Sequence, residues 1–181
     1  WRKYKLNHDV KKMSDEIKYG VFSWGPCVVQ LKISEDFRKK LLTEAEESRK
    51  EELKFNTKLA GVIKEEYAYR KKEIFLPEIS QVLGVYDQAF QKFKNKPYEH
   101  KPEYLLNALW VNFMKKNEYN PPHDHADNLS FVIFLDVPEE IKKEQKEYKG
   151  QSGGPGSLMF LYGEGNRQAI TYQGIHPNNN D

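Results

Sequence analysis

The sequence predicts an α+β fold, helices first and strands after, and three observations carry that expectation. Apolar residues recur at helical spacing in two stretches of the first hundred residues. Runs rich in β-branched and aromatic residues fill the rest. Pro and Gly clusters mark the boundary and the later connections. At 181 residues one domain is the default, long enough to bury a hydrophobic core without disulfide staples. We expect an irregular segment over 1–20 and a single domain over 21–181, helical to about residue 97 and mainly stranded from 104.

The elements follow in order. Residues 21–33 (VFSWGPCVVQLKI) favour a strand after the Gly-Pro at 25–26. Ser34 sits where a helix N-cap belongs, with Glu35 and Asp36 in the favourable first turn. Phe37, Leu41, Leu42 and Ala45 then share one helical face. A second helix starts near Pro77, a residue suited to a first turn, and carries Ile79, Val82, Leu83, Tyr86, Phe90 and Phe93 as a core-facing stripe. Pro97 and Pro102 close the helical half. Tyr104–Met114 reads as a strand. Leu129–Val137 (LSFVIFLDV) reads as another, apolar enough to be buried on both faces. The charged stretch Glu139–Tyr148 is a short helix or a mobile loop, and QSGGPG at 151–156 is a turn cluster. Ser157–Tyr162 and Ala169–Ile175 are two further strands joined around 163–166.

Charge and composition exclude some function classes. The 29 basic and 27 acidic residues leave a net charge of +2, with no basic stripe of the kind nucleic-acid binders present. No apolar run approaches the roughly 20 residues of a membrane-spanning helix, and the polar N-terminus lacks a signal-peptide pattern. Neither a nucleic acid nor a membrane is an expected partner. The single cysteine, Cys27, cannot form an internal disulfide and reads as a small buried residue in a reducing, cytoplasmic compartment. The chain starts at Trp1 and stops in polar residues with no closing element, which leads us to expect a fragment of a longer protein.

One segment concentrates chemistry. Asn117–Ser130 reads NEYNPPHDHADNLS, with two histidines and two aspartates inside five residues. In an extended chain alternate residues point the same way, so His123, His125 and Asp127 project from one face and Asp124 from the other. Two imidazoles and a carboxylate with open positions suit Fe(II) oxygen chemistry. Zinc accepts the same donors. The helical HExxH arrangement is absent. The plain alternative is a solvated turn in which Asp124 or Asp127 caps backbone amides.

The runs from Trp110 to Met114, from Glu118 to His125 and from Leu129 to Leu135 resemble the core of the Fe(II)- and 2-oxoglutarate-dependent oxygenase superfamily. They are most similar to the small oxygenases of marine phages and bacteria related to prolyl hydroxylase-like enzymes. Leu59–Tyr69 is similar to the same group. The resemblance implies a double-stranded β-helix, or jelly roll, with N-terminal helices packed on one sheet and the last strands lying beyond residue 181. It implies Fe(II), 2-oxoglutarate as cosubstrate and ascorbate as an accessory reductant. It also implies hydroxylation of an unactivated C–H, with a protein or peptide side chain such as proline as a candidate substrate.

The superfamily's His-x-Asp pair fits two registers here, His125 with Asp127 or His123 with His125. Asn112 and Tyr119 are the candidates for holding the cosubstrate. Trp110 is either core or a substrate platform. The superfamily also uses a distal histidine and an arginine that grips the cosubstrate. His176 is the only later histidine, and Arg167 precedes it rather than following it. The distal ligand is therefore expected beyond the chain. The competing readings are a non-catalytic jelly-roll binding module and a phage structural or interaction protein with an incidental His-rich turn.

Overall fold

The computed structural model describes residues 19–23, 25–95, 97–100, 102–151, 153–162 and 171–177. In chain order the elements are β1 (Tyr19–Ser23), β2 (Cys27–Leu31), α1 (Glu35–Lys50), β3 (Glu66–Ala68), α2 (Leu76–Lys94), β4 (Trp110–Asn112), α3 (Glu139–Glu147), β5 (Leu158–Tyr162) and β6 (Thr171–Ile175). The strands pair as three antiparallel two-stranded sheets, β1–β2, β3–β4 and β5–β6. No double-stranded β-helix is seen among the described residues. Two compact units are present, one of Asp36–Ser130 and one of Trp1–Glu35 with Phe131–Asp181.

The central unit is organised by α1, α2 and the β3–β4 pair. On α1 the buried residues are Phe37, Leu41, Glu44, Ala45 and Ser48, a stripe at three- and four-residue spacing, with Leu42 half-buried at its margin. Helix α2 starts where Pro77 predicts and ends at Asn95, whose left-handed backbone (φ 50°) turns its N–H back onto the carbonyls of Gln91 and Lys92. Its fully buried positions are Ile79, Val85 and Ala89, whereas Val82, Leu83, Tyr86, Phe90 and Phe93 are half-buried. The stripe is thus rotated from the expected one. The small Ala89 goes deepest, and the large rings stack along the edge, Phe90 against Tyr86 at 5.7 Å and Tyr98 at 6.0 Å.

Phe75, wholly buried just before α2, joins these elements. Its ring meets Phe37 of α1 at 6.2 Å and the edge of Tyr69 at 5.2 Å. Polar contacts fasten α1 to the chain around β3. The Ser48 hydroxyl accepts the Arg70 N–H at 3.0 Å, and the Arg70 guanidinium donates to Glu44 at 3.0 Å and Glu51 at 2.7 Å.

In β3–β4, Glu66 faces Asn112, Tyr67 faces Val111 and Ala68 faces Trp110. Backbone bonds at the flanking pairs, from Phe113 N–H to Glu65 and from Tyr69 N–H to Leu109, set the alternation. Tyr67, Tyr69 and Val111 are buried on one face, while Glu66, Ala68, Trp110 and Asn112 belong to the other. Residues 53–55 run along the second edge of β3, with Phe55 N–H donating to Glu66 and Ala68 N–H to Leu53.

Two expected strands are corrected. Of Tyr104–Met114 only Trp110–Asn112 is a strand, because the Lys72 ammonium takes the Leu106 and Asn107 carbonyls at 3.0 and 2.7 Å. Leu129–Val137 forms no ladder with any described segment, and Phe131 and Val132 are exposed rather than buried on both faces. An apolar run does not supply its own partner; a strand exists only where a second backbone offers matching N–H and C=O groups.

In the other unit, β1 and β2 form a hairpin around Gly25-Pro26, so the chain is extended before the Gly-Pro as well as after it. Gly25 has φ 135°, and the Tyr162 ring lies about 3.0 Å from where a Cβ would stand, so conformation and contact both demand glycine. Strands β5 and β6 pair from Leu158↔Ile175 to Tyr162↔Thr171. The stretch 139–147 is the helix α3, and the Gln145 amide donates to the Pro155 carbonyl at 3.1 Å, fixing the turn before β5. The expected positions 1–18, the turn at 163–166 and Arg167 lie outside the described residues.

Phe75→Ala should lower the unfolding free energy by about 3–5 kcal/mol, the range for deleting a fully buried aromatic side chain. Urea denaturation checks this, and a loss below about 1 kcal/mol would contradict the central place given to this ring.

Candidate metal centre

The candidate residues all hang from β4 and the chain that follows it. After Asn112 the backbone turns at Lys116-Asn117, where Asn117 takes a positive φ of 67°. The Glu118 carboxylate accepts the N–H groups of Lys115 at 2.9 Å and Lys64 at 3.2 Å. The Val62 N–H then donates to the Tyr119 carbonyl at 2.8 Å. This short bridge holds the chain against residues 61–64 immediately before Pro121-Pro122, and the two prolines restrict the approach to His123.

His123 and His125 come together. Their ring centres are 4.9 Å apart with planes tilted by 55°. Two imidazoles bound side by side on one ion, with metal–nitrogen distances of about 2.1 Å, place their ring centres roughly 4.5–5 Å apart. The separation of the two rings falls in that range. His123 Nδ1 lies 2.8 Å from the Pro121 carbonyl. A carbonyl only accepts, so this contact calls for a proton on Nδ1, the tautomer whose Nε2 lone pair is left for a ligand. The His125 ring lies over Trp110 of β4, centres 6.3 Å apart and planes 22° from parallel, and Trp110 packs in turn on Phe55 at 6.0 Å. A three-ring column thus runs from Phe55 to His125. Both histidines are exposed, so a small ion reaches them from solvent.

Asp127 behaves differently from the expected alternation. The chain bends at residues 126–128, and Asn107 Nδ2 donates to Asp127 Oδ1 at 2.6 Å. Extended geometry therefore ends at His125, and the carboxylate is engaged elsewhere. Among the described residues no three His, Cys, Asp or Glu side chains converge on one point that could hold an ion. Asp124 is exposed. His176 is exposed in the other unit.

The two positions expected to hold a cosubstrate separate. Tyr119 is 56% exposed, and its backbone carbonyl accepts from Val62. Asn112 is half-buried, and its Oδ1 is a buried acceptor with no hydrogen-bond partner. A surface cleft of about 550 Å³ lies beside this segment, between Gly61–Lys64 and Lys115–Glu118, and does not include the histidines.

Sequence reasoning missed Glu66. It sits opposite Asn112, is wholly buried, and has Oε1 without a partner while Oε2 accepts from Asn56 Nδ2 at 3.2 Å. The period-two pattern Tyr67/Tyr69 assigns Glu66 to the opposite face, but its burial is imposed by residues 56–63, which no local pattern reveals. Burial first, and then the neighbouring Glu118 charge, push its carboxyl above the usual glutamate range, against the opposing donation from Asn56.

No protein-family profile, no curated protein and no solved structure matches the chain. Among the described residues no helix is long and apolar enough to cross a membrane.

The raised Glu66 value fixes the sign of a pH effect. The folded chain binds a proton that the unfolded chain releases. That stabilisation is complete below the unfolded value of about 4.3 and is lost as pH rises through the folded one. In a chelating buffer, the melting temperature of the protein should therefore fall relative to that of Glu66→Gln as pH climbs from about 4.3 toward neutrality. Parallel curves for the two proteins would contradict the raised value.

Proposed function

We propose that the chain carries the iron-binding stretch of a Fe(II)- and 2-oxoglutarate-dependent oxygenase, with His123 and His125 as two of the protein ligands. The observation that supports this reading is the pair of imidazoles 4.9 Å apart, one with its Nδ1–H engaged by the Pro121 carbonyl and the other stacked on Trp110. Of the two registers open in the sequence, the proximity favours His123 with His125. Asp127 would join only by exchanging Asn107 for the ion. The distal ligand, the arginine for the cosubstrate carboxylate and the jelly-roll strand pairings belong to the same proposal, as does a protein or peptide substrate.

Each residue has a defined task in this reading. The Pro121 carbonyl holds His123 in the tautomer that presents Nε2. Trp110 restricts rotation of the His125 ring, so less freedom is lost on binding. Bound Fe(II) with 2-oxoglutarate and O2 would supply the oxidising power to hydroxylate an unactivated C–H. Asn112 and Tyr119 are the candidates for orienting the cosubstrate. Asn112 would do so only by turning its amide, because its buried Oδ1 is an acceptor and a carboxylate needs a donor.

Ni(II) or Co(II) serves as a redox-inert probe of the same donors. His123→Ala and His125→Ala should each weaken binding by about tenfold or more, and Asp127→Ala by clearly less. Isothermal titration measures all three. On the full-length protein, Fe(II)-dependent conversion of 2-oxoglutarate should disappear in His125→Ala. Metal binding that survives both histidine substitutions would reject the assignment, and turnover unchanged in His125→Ala would reject the activity.

A further inference from the structure

The second feature is a set of buried oxygens that no donor reaches. Three of them, Asn56 Oδ1, Glu66 Oε1 and Asn112 Oδ1, are shielded from solvent without a hydrogen-bond partner. They are neighbours. Asn56 lies against the Glu66 carboxylate through its own amide nitrogen, which also donates to the Ile63 carbonyl at 2.6 Å. Glu66 and Asn112 are a cross-strand pair. Because the flanking pairs 65/113 and 69/109 carry backbone hydrogen bonds, 66/112 is the non-hydrogen-bonded kind, whose side chains stand closer, with Cβ atoms about 4.5–5.5 Å apart.

Gly61 marks the same spot from the covering segment. A Cβ at this position would lie 2.8 Å from Glu66 Oε1 and 2.4 Å from Asn120 Oδ1. Both oxygens therefore point at one glycine and lie no farther apart than those two reaches laid end to end. Each unpaired buried acceptor costs about 1–3 kcal/mol, and a cation among them would remove that cost in place of the proton that Glu66 otherwise keeps. The Glu118 carboxylate adds further negative potential.

We infer that Glu66 and its neighbours Asn56 and Asn112, with the exposed Asn120 closing the outer edge where Gly61 leaves room, form a site for a hard divalent cation of the size of Ca2+. One carboxylate and several carboxamide oxygens are the donors that ion prefers, at about 2.3–2.6 Å, in a geometry that tolerates irregular placement. Mg2+ demands a stricter octahedron and retains its water, so it fits this enclosed set less well. Imidazole takes no part, which separates the site chemically from the histidine pair. It joins β3, β4 and the segment 56–63, so the ion ties together the backbones that carry Trp110 and the chain leading to His123.

Calorimetric and thermal-shift titration of the chelator-treated protein with CaCl2 tests this. One equivalent should bind, and the melting temperature should rise with Ca2+ concentration, by less with Mg2+. Glu66→Gln, nearly isosteric, should weaken Ca2+ binding by about tenfold or more, whereas Asn112→Asp, which adds a second carboxylate, should tighten it. The double substitution His123→Ala and His125→Ala should leave Ca2+ binding intact, which keeps the outcome distinct from that of the iron site. No binding at millimolar Ca2+, equal affinity in Glu66→Gln, or loss of binding in the double histidine variant would each overturn the inference. In the first two cases the oxygens are met by rotated amides or by water.

Discussion

Three residues of β3 lie against three of β4, and side chains alternate across that pairing. Tyr67 and Val111 must therefore enter the core while Glu66, Ala68, Trp110 and Asn112 face the other way. A shift of one residue would exchange the two sets, driving Trp110 into the helices and Tyr67 out of them. The registration is held from the core side, where Tyr69 meets Phe75 and Tyr67 meets the edge of Phe113. Arg49 of α1 reinforces it, lying over the Phe113 ring at 4.7 Å and donating to Glu65 at 3.0 Å. Lys115, beyond β4, pairs with the same carboxylate at 2.7 Å and, with Arg49, holds it below the usual glutamate range. Packing on one face thus decides what the other face offers.

That other face carries two kinds of donor set. At its rim, Trp110 supports His125, and His125 adjoins His123, two imidazoles open to solvent. Beneath the segment 56–63, Glu66 and its neighbours leave unpaired oxygens. Borderline transition metals prefer the first and hard cations the second. The same strand pair supplies the support of one set and a member of the other, Trp110 and Asn112, two residues apart on a common face.

Much of the fold was legible where one residue type dictates local geometry. Pro77 placed the start of α2, the spacing of Phe37, Leu41 and Ala45 placed the buried face of α1, and the Gly-Pro at 25–26 placed the strand that follows it. What failed depended on partners distant in sequence. Leu129–Val137 has the composition of a strand but joins no ladder among the described residues. Leu106 and Asn107 give their carbonyls to Lys72 instead of to a ladder. The candidate site divides the same way. The nearness of His123 and His125 follows from an extended i, i+2 relation, whereas the engagement of Asp127 with Asn107 twenty residues earlier interrupts the pattern after His125. Glu66 was invisible for a related reason: a glutamate in a charged run gives no sign that Asn56 and Gly61 will enclose it.

The central claim is that His123 and His125 present nitrogen lone pairs to one ion while His123 keeps its Nδ1 proton on the Pro121 carbonyl. Long-range 1H–15N correlation of the histidine side chains, recorded with and without one equivalent of Zn(II), tests it most directly. The account predicts that the His123 Nε2 resonance moves to the metal-bound range with Nδ1 still protonated, and that the His125 ring shifts in the same titration step. Two rings that keep their metal-free spectra, or a His123 ring bound through Nδ1, would contradict it.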